Sequence, residues 1–376
     1  MQQDRILFHS FNALRFVAFF RVWLLHLPKP EGNEFLLKLV FDGGGIGVDF
    51  FFVLSGFLIT YLLTHEAVTT GTINSRNYFL RRALRIWPLY FIGVALAYSN
   101  NFITGRLSMG AHEGYDPNPL FSLTFLENYQ MIRLNNFPNG APLRVFWSLC
   151  VEEHFYILWL LLFLFVPVRH FIKTAIVLWI TGILYRMWFL QQFPANIYAG
   201  IDVISKLDYF CAGGIAGYSI ATAFDTMRKR IHSIPRIIRY LLTILVIFFF
   251  FGHQFISKPI TDSVYFAVVP AILFALLLLL IATTATFLHI KETTIFSRLG
   301  KLSYGLYVYH TVVILAVMML LKLAHIEVKG GNLVLFAAGC FILTVLISWL
   351  SYRYIESYFL QLKQTISRQL IKRTAS

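Results

Sequence analysis

Apolar residues run along this chain in long blocks separated by short polar stretches, without the alternation of a half-buried strand. The blocks cover residues 12–27, 46–64, 83–100, 149–167, 171–190, 205–222, 236–255, 262–287, 301–323 and 332–352. About 20 apolar residues in a helix cross the roughly 30 Å hydrocarbon core of a bilayer. The pattern therefore predicts an all-α, polytopic integral membrane protein with about ten transmembrane helices. Most connectors are short. The exception is 101–147, rich in Gly, Asn and Pro, whose half-apolar piece Pro119–Met131 suggests a short interfacial or re-entrant helix. No linker or repeat marks a second domain, so 1–356 reads as one membrane domain and 357–376 as a short basic tail.

Composition agrees. Of 376 residues 58% are hydrophobic and 13% charged, and 38 are Phe; a soluble domain carries about 25% charge. The surplus apolar surface calls for lipid as its partner. The net charge of +14 would raise nucleic-acid binding in a soluble protein. Here it reads as the positive-inside bias, and no nucleic-acid partner is expected. With the N-terminus inside, the inner segments hold 20 Lys and Arg, the outer segments 10, and the first span the other two. Both termini are then cytoplasmic, and the 101–147 loop faces outward. Cys150, Cys211 and Cys340 lie in or beside apolar stretches at spacings that fit neither a disulfide framework nor a zinc site. The first apolar run contains Arg15, Arg21 and His26 and lacks a small-residue cleavage site, so it reads as a retained helix.

Polar residues inside such blocks are costly and mark function. Arg15 and His26 are eleven residues apart, about three turns plus 20°, and so share a helix face. Arg21 reads as a snorkelling residue. Gly43-Gly44-Gly45-Ile46-Gly47-Val48-Asp49 opens the second block. No strand precedes it, which excludes a dinucleotide loop. Asp49 is expected at the depth of His26, either as an N-cap or as a carboxylate that orients the imidazole. Ser55 reads as a helix-packing residue beside Gly56. Arg82 and Arg85, at i and i+3, suit a phosphate ligand or plain interfacial anchoring. Glu152 and Glu153 open the fourth block beside His154 and diverge by about 100°, so only one can face a given site. Lys206 and Asp208 are expected to pair with each other. Tyr309 and His310 sit on a polar, aromatic edge that could line a cavity, although a lone histidine is more often a packed core residue. Tyr352–Glu356 reads as an interfacial anchor. No metal site is expected.

Taken together, these segments resemble the membrane acyltransferase-3 family. The matches are Arg15 with His26; Gly47-Val48-Asp49 through Ser55-Gly56-Phe57; Arg82 and Arg85 running to Pro88-Leu89-Tyr90; Trp147-Ser148-Leu149 followed by Glu152-Glu153; Leu299–Tyr304; and Tyr352–Glu356. They occur in the family's order along nearly the whole chain. The resemblance implies a ten-helix O-acyltransferase, O-antigen acetylase-like, of the bacterial inner membrane. It would move an acyl group, usually acetyl, from cytoplasmic acyl-coenzyme A to an extracytoplasmic glycan or lipid-linked glycan. It implies that Arg15 and His26 are essential and that the paired arginines handle the donor. Tyr309 and His310 are grouped with the donor site, and Asp49, Glu152 and Glu153 with catalysis. His154 departs from the Gln usual after the paired glutamates. Many members carry an esterase-like domain after the last span; a chain ending at Ser376 is expected to work alone or with a separate extracytoplasmic transferase.

The layout suggests that acyl-coenzyme A docks on Arg82 and Arg85 and that its pantetheine arm passes Arg15 toward His26. The imidazole would serve as general base or as a transient acyl carrier. A transporter is the competing reading, since intramembrane charges also mark substrate pathways. Tyr115, Phe121, Tyr129 and Phe137 of the outer loop are candidates to stack on sugar rings.

Overall fold

The computed structural model describes residues 6, 8–29, 32–106, 114–257, 260, 263–329 and 331–362; the basic tail beyond Leu362 lies outside them. Among the described residues the regular structure is helical, with one isolated bridge between Tyr115 and Pro138. Each of the ten expected blocks contains a helix. In chain order the helices are α1 (Ser10–Leu25), α2 (Glu34–Phe41), α3 (Ile46–Thr70), α4 (Ser75–Arg106), α5 (Pro119–Leu123), α6 (Glu127–Leu134), α7 (Leu143–Phe165), α8 (Phe171–Gln192), α9 (Leu207–Ser233), α10 (Arg236–Gly252), α11 (Val268–Ala282), α12 (Ile295–Lys301), α13 (Ser303–Leu323) and α14 (Gly331–Ser351). A π-helical turn, Tyr352–Glu356, closes α14.

Among the described residues six helical stretches are long and apolar enough to cross a membrane: Glu34–Thr70, Leu143–Phe165, Val168–Gln192, Arg236–Phe255, Ser303–Leu323 and Gly331–Leu362. The other four expected spans are shorter or more charged. α11 has 15 residues, and α1 has 16 with Arg15 and Arg21 inside it. α4 carries Arg76, Arg81, Arg82 and Arg85, while α9 bears Asp208 and Asp225 and leaves helical geometry at Ala223. The outer surfaces of the long helices are apolar. Phe165, Phe248, Val334 and Leu335 are all more than 70% exposed, which water would not tolerate over such an area.

The chain forms two compact units. The first comprises residues 1–25, 32–73 and 151–301. Its centre is the packing of α3 against α9. A Cβ at Gly213 or Gly217 would collide with the carbonyls of Val53 and Phe57, and one at Gly56 with the carbonyl of Phe210. Only glycine permits this backbone approach. Phe155 then stacks on Phe210 at 3.9 Å, and the Trp159 indole N–H donates to Thr60 Oγ1 at 2.7 Å. α12 packs on α1, with Gly300 against the Asn12 carbonyl.

Several polar groups buried in this unit are matched by partners from other elements. Arg186 donates to Asp208 Oδ2 at 2.7 Å and to the carbonyls of Ser205 (2.6 Å) and Val264 (2.9 Å). Asp208 therefore does not pair with Lys206, contrary to expectation; residues i and i+2 of a helix point apart. Arg21 does not snorkel. It is 1% exposed and donates to the carbonyls of Val40 (2.6 Å) and Asp42, pinning the turn that leads into α3.

The second unit comprises 26–31, 74–150 and 302–376. α13 packs on α14 and on α4, and α4 also contacts the π-turn. The long connector holds two short helices, α5 and α6, where one was expected. They are tied to α4 by Tyr90, which stacks on Phe125 at 4.0 Å and donates to the Ser122 carbonyl at 2.7 Å. Glu127 is fully buried between them and accepts from Tyr115 (2.6 Å) and Ser122 Oγ (2.5 Å). Burial pushes its carboxyl above the usual range, against these two hydrogen bonds, which lower it.

Two outcomes follow. Asp208→Leu strands a buried guanidinium and should cost about 3–5 kcal/mol, read as a fall in the melting temperature of the detergent-solubilised protein. The folded state holds the Glu127 proton more tightly than the unfolded chain does. Its contribution to stability therefore declines as pH rises from the ordinary glutamate value of about 4.3 through the raised folded one. Melting temperatures measured across that window should fall less steeply in Glu127→Gln.

Candidate functional site

In the second unit His26 lies one residue beyond the end of α1. Its ring meets that of His310 with centroids 5.0 Å apart and planes at 73°. His310 is fully buried in α13. Its Nδ1 is 2.7 Å from the Tyr307 carbonyl. A carbonyl only accepts, so Nδ1 carries the proton and Nε2 of the neutral ring carries the lone pair. The turn that supplies this carbonyl is clamped: the Tyr307 hydroxyl sits 2.6 Å from Ser148 Oγ and donates to the Val145 carbonyl at 3.1 Å.

Arg82 and Arg85 occupy successive turns of α4; Arg85 is exposed and Arg82 half-buried. Pro88 interrupts the hydrogen-bond ladder just beyond them, and the Tyr304 hydroxyl donates to the Ile86 carbonyl at 2.7 Å in that loosened stretch. Tyr309 pairs with Ser351 Oγ at 3.0 Å. Arg85 acts electrostatically on Glu356 of the π-turn. Glu356 Oε1 lies over Gly305, where a Cβ would stand 3.2 Å from that oxygen and 3.3 Å from Ser348 Cβ. The expected interfacial anchor thus turns a carboxylate inward.

The remaining candidates lie in the first unit. Arg15 Nη1 donates to Asn12 Oδ1 at 2.9 Å; Asn12 in turn donates to Glu292 at 3.1 Å, and Lys301 meets Glu292 at 3.1 Å. Arg15 is therefore the inner member of a polar string that ends at a half-exposed lysine. Asp49 pairs with Lys206 at 3.1 Å and bonds Tyr209. Glu152 accepts from Ser55 Oγ at 2.8 Å and from Tyr156 at 3.2 Å; Ser55 thus bonds across helices beside the close-packed Gly56. Glu153 is buried, 5% exposed.

Sequence reasoning missed the meeting of His26 and His310. The two lie 284 positions apart, and no local spacing signals their encounter. Of the four loop aromatics, Tyr115 bonds Glu127, Phe121 lies under Arg133 and Phe137 under Arg144, while Tyr129 is exposed.

A helical, multi-pass membrane protein with buried polar clusters is the class that this architecture defines. Comparison with known proteins narrows it. The acyltransferase-domain family Acyl_transf_3 matches residues 8–353, and the chain belongs to that family. It is 26% identical to the protein named "Putative O-acetyltransferase SACOL0978" from Staphylococcus aureus (strain COL), over 93% of this chain and 56% of that one. It is 28% identical to "O-acetyltransferase OatA" from Staphylococcus aureus (strain NCTC 8325 / PS 47), over 84% of this chain and 52% of that one. The chain thus spans about half the length of these curated relatives. No solved structure matches it significantly.

Gly305→Val should crowd Glu356 and Ser348 at the α13–α14 contact. A loss of about 1–3 kcal/mol is expected, measured as a lower melting temperature together with reduced activity in membranes.

Proposed function

We propose that this chain is an O-acetyltransferase of the inner membrane, with both termini cytoplasmic and ten spans, moving acetyl from cytoplasmic acetyl-coenzyme A to a hydroxyl of an extracytoplasmic glycan or lipid-linked glycan. The observation that carries this reading is the pairing of His26 with His310 in a chain of the acyltransferase family. Two side chains able to handle a proton meet in a helical membrane protein, where polar groups are kept at a cost.

The roles follow from side-chain chemistry. Arg82 and Arg85 present two guanidinium forks one turn apart, suited to the donor's phosphates; Tyr309 and His310 of the neighbouring α13 complete the donor side. His26 is the general base. It takes the proton of the acceptor hydroxyl as that oxygen bonds the acetyl carbon. The carbon–sulfur bond breaks, and the proton passes from His26 to the departing thiolate. Arg15, Asp49, Glu152 and Glu153 belong to the supporting polar framework of the first unit. A separate extracytoplasmic transferase is a fitting partner for the product.

The test supplies radiolabelled acetyl-coenzyme A to membranes and follows label into surface polysaccharide. His26→Ala should abolish incorporation at normal membrane abundance, and Arg82→Ala or Arg85→Ala should raise the apparent KM for acetyl-coenzyme A about tenfold or more. Full incorporation with His26→Ala, or transport of an unmodified substrate without use of the donor, would overturn the assignment.

A further inference from the structure

His310 is the best-defined polar side chain in the second unit. It is fully buried, its Nδ1–H is committed to the Tyr307 carbonyl at 2.7 Å, and that turn is held through the Tyr307 hydroxyl. The ring can neither rotate freely nor exchange its tautomer without breaking that bond. The nitrogen left with a lone pair is Nε2. The His26 ring meets it with centroids 5.0 Å apart and planes at 73°, near enough for a ring N–H to reach a ring nitrogen once the rings turn edge to edge.

A base or nucleophile built from imidazole needs its second nitrogen held, so that the reactive nitrogen carries the lone pair and points consistently. A carboxylate usually does this. Of the three carboxylates proposed for the task from sequence, Asp49 pairs with Lys206 and Glu152 with Ser55 and Tyr156, and Glu153 is buried in the first unit.

We infer that His310 is a positioning residue for His26: on a turn of the His26 ring, His310 Nε2 accepts its nearer N–H and so leaves the lone pair on the other nitrogen for the acceptor hydroxyl. This rests on the acyl-transfer reading above and gives His310 a role beyond completing the donor side. It predicts that His310 governs turnover more than donor affinity.

Two polar substitutions separate the role from simple packing. His310→Gln places an amide oxygen near the position of Nε2 and preserves the acceptor. His310→Asn keeps only a donor near Nδ1, able to bond the Tyr307 carbonyl, and loses the acceptor. With radiolabelled acetyl-coenzyme A and membranes bearing surface polysaccharide, kcat and KM are measured for both at matched abundance, beside His26→Ala and the double variant His26→Ala/His310→Asn. We expect His310→Asn to lower kcat about a hundredfold or more, a larger change than any in KM. His310→Gln should recover to within about tenfold of the parent, and the double variant should be no worse than His26→Ala. Equal activity of the Gln and Asn variants, the reverse ranking, or a loss that appears only in KM would overturn the inference while leaving the transfer reading intact. Normal activity of His26→Ala would overturn both.

Discussion

Inside a bilayer a polar group has no water to fall back on, so each one must find its partner within the protein. Much of this structure is a response to that constraint. The Arg186 guanidinium donates to Asp208 and two carbonyls, the two terminal nitrogens of Arg21 donate to the carbonyls of Val40 and Asp42, and the Trp159 indole donates to Thr60. Each match joins separate elements of the chain, and each therefore helps to specify which of them are neighbours. Apolar contact contributes little to that choice in lipid, where the alternative environment of a Leu or Phe side chain is equally apolar.

The same reasoning explains the glycines of α3 and α9. In the absence of a hydrophobic drive between helices, association depends on close packing, and the carbonyls of Val53, Phe57 and Phe210 lie where a Cβ would otherwise stand. That approach allows Phe155 to stack on Phe210 and Trp159 to reach Thr60. In the second unit a comparable division of labour places α13. Tyr304 bonds the backbone of α4, Tyr307 the residues ahead of Cys150, and Tyr309 the end of α14. Three tyrosine hydroxyls within six residues thus fix one helix from three directions, and His310 follows directly after them.

How far the sequence reveals this depends on the range over which a signal acts. Blocks of apolar residues are local, and each expected span contains a helix. Arg21 was misjudged because its partners are backbone carbonyls, which leave no trace in residue identity. Lys206 and Asp208 are neighbours in sequence, yet two positions along a helix separate them by about 200°; each takes a partner from elsewhere, Asp49 and Arg186. Ser55 beside Gly56 looks like a packing pair, yet its hydroxyl is used by Glu152 of α7. The meeting of His26 with His310 depends on the tertiary packing that brings α13 to the loop after α1, and no periodicity encodes it.

The pairing of two imidazoles carries a consequence that a histidine–carboxylate pair would not. A carboxylate beside an imidazole in a medium of low dielectric favours the imidazolium and so withdraws the very lone pair on which a base depends. A second imidazole with its Nδ1–H committed to a carbonyl accepts a hydrogen bond without bringing a negative charge. It can orient its partner and leave it neutral. The cost is weaker stabilisation of the cation that forms once the proton has been taken, which suits a step in which that proton is handed on at once to a leaving thiolate. Asp49 held by Lys206, and Glu152 by Ser55 and Tyr156, are carboxylates already occupied with other partners, an arrangement that leaves the neutral role to histidine.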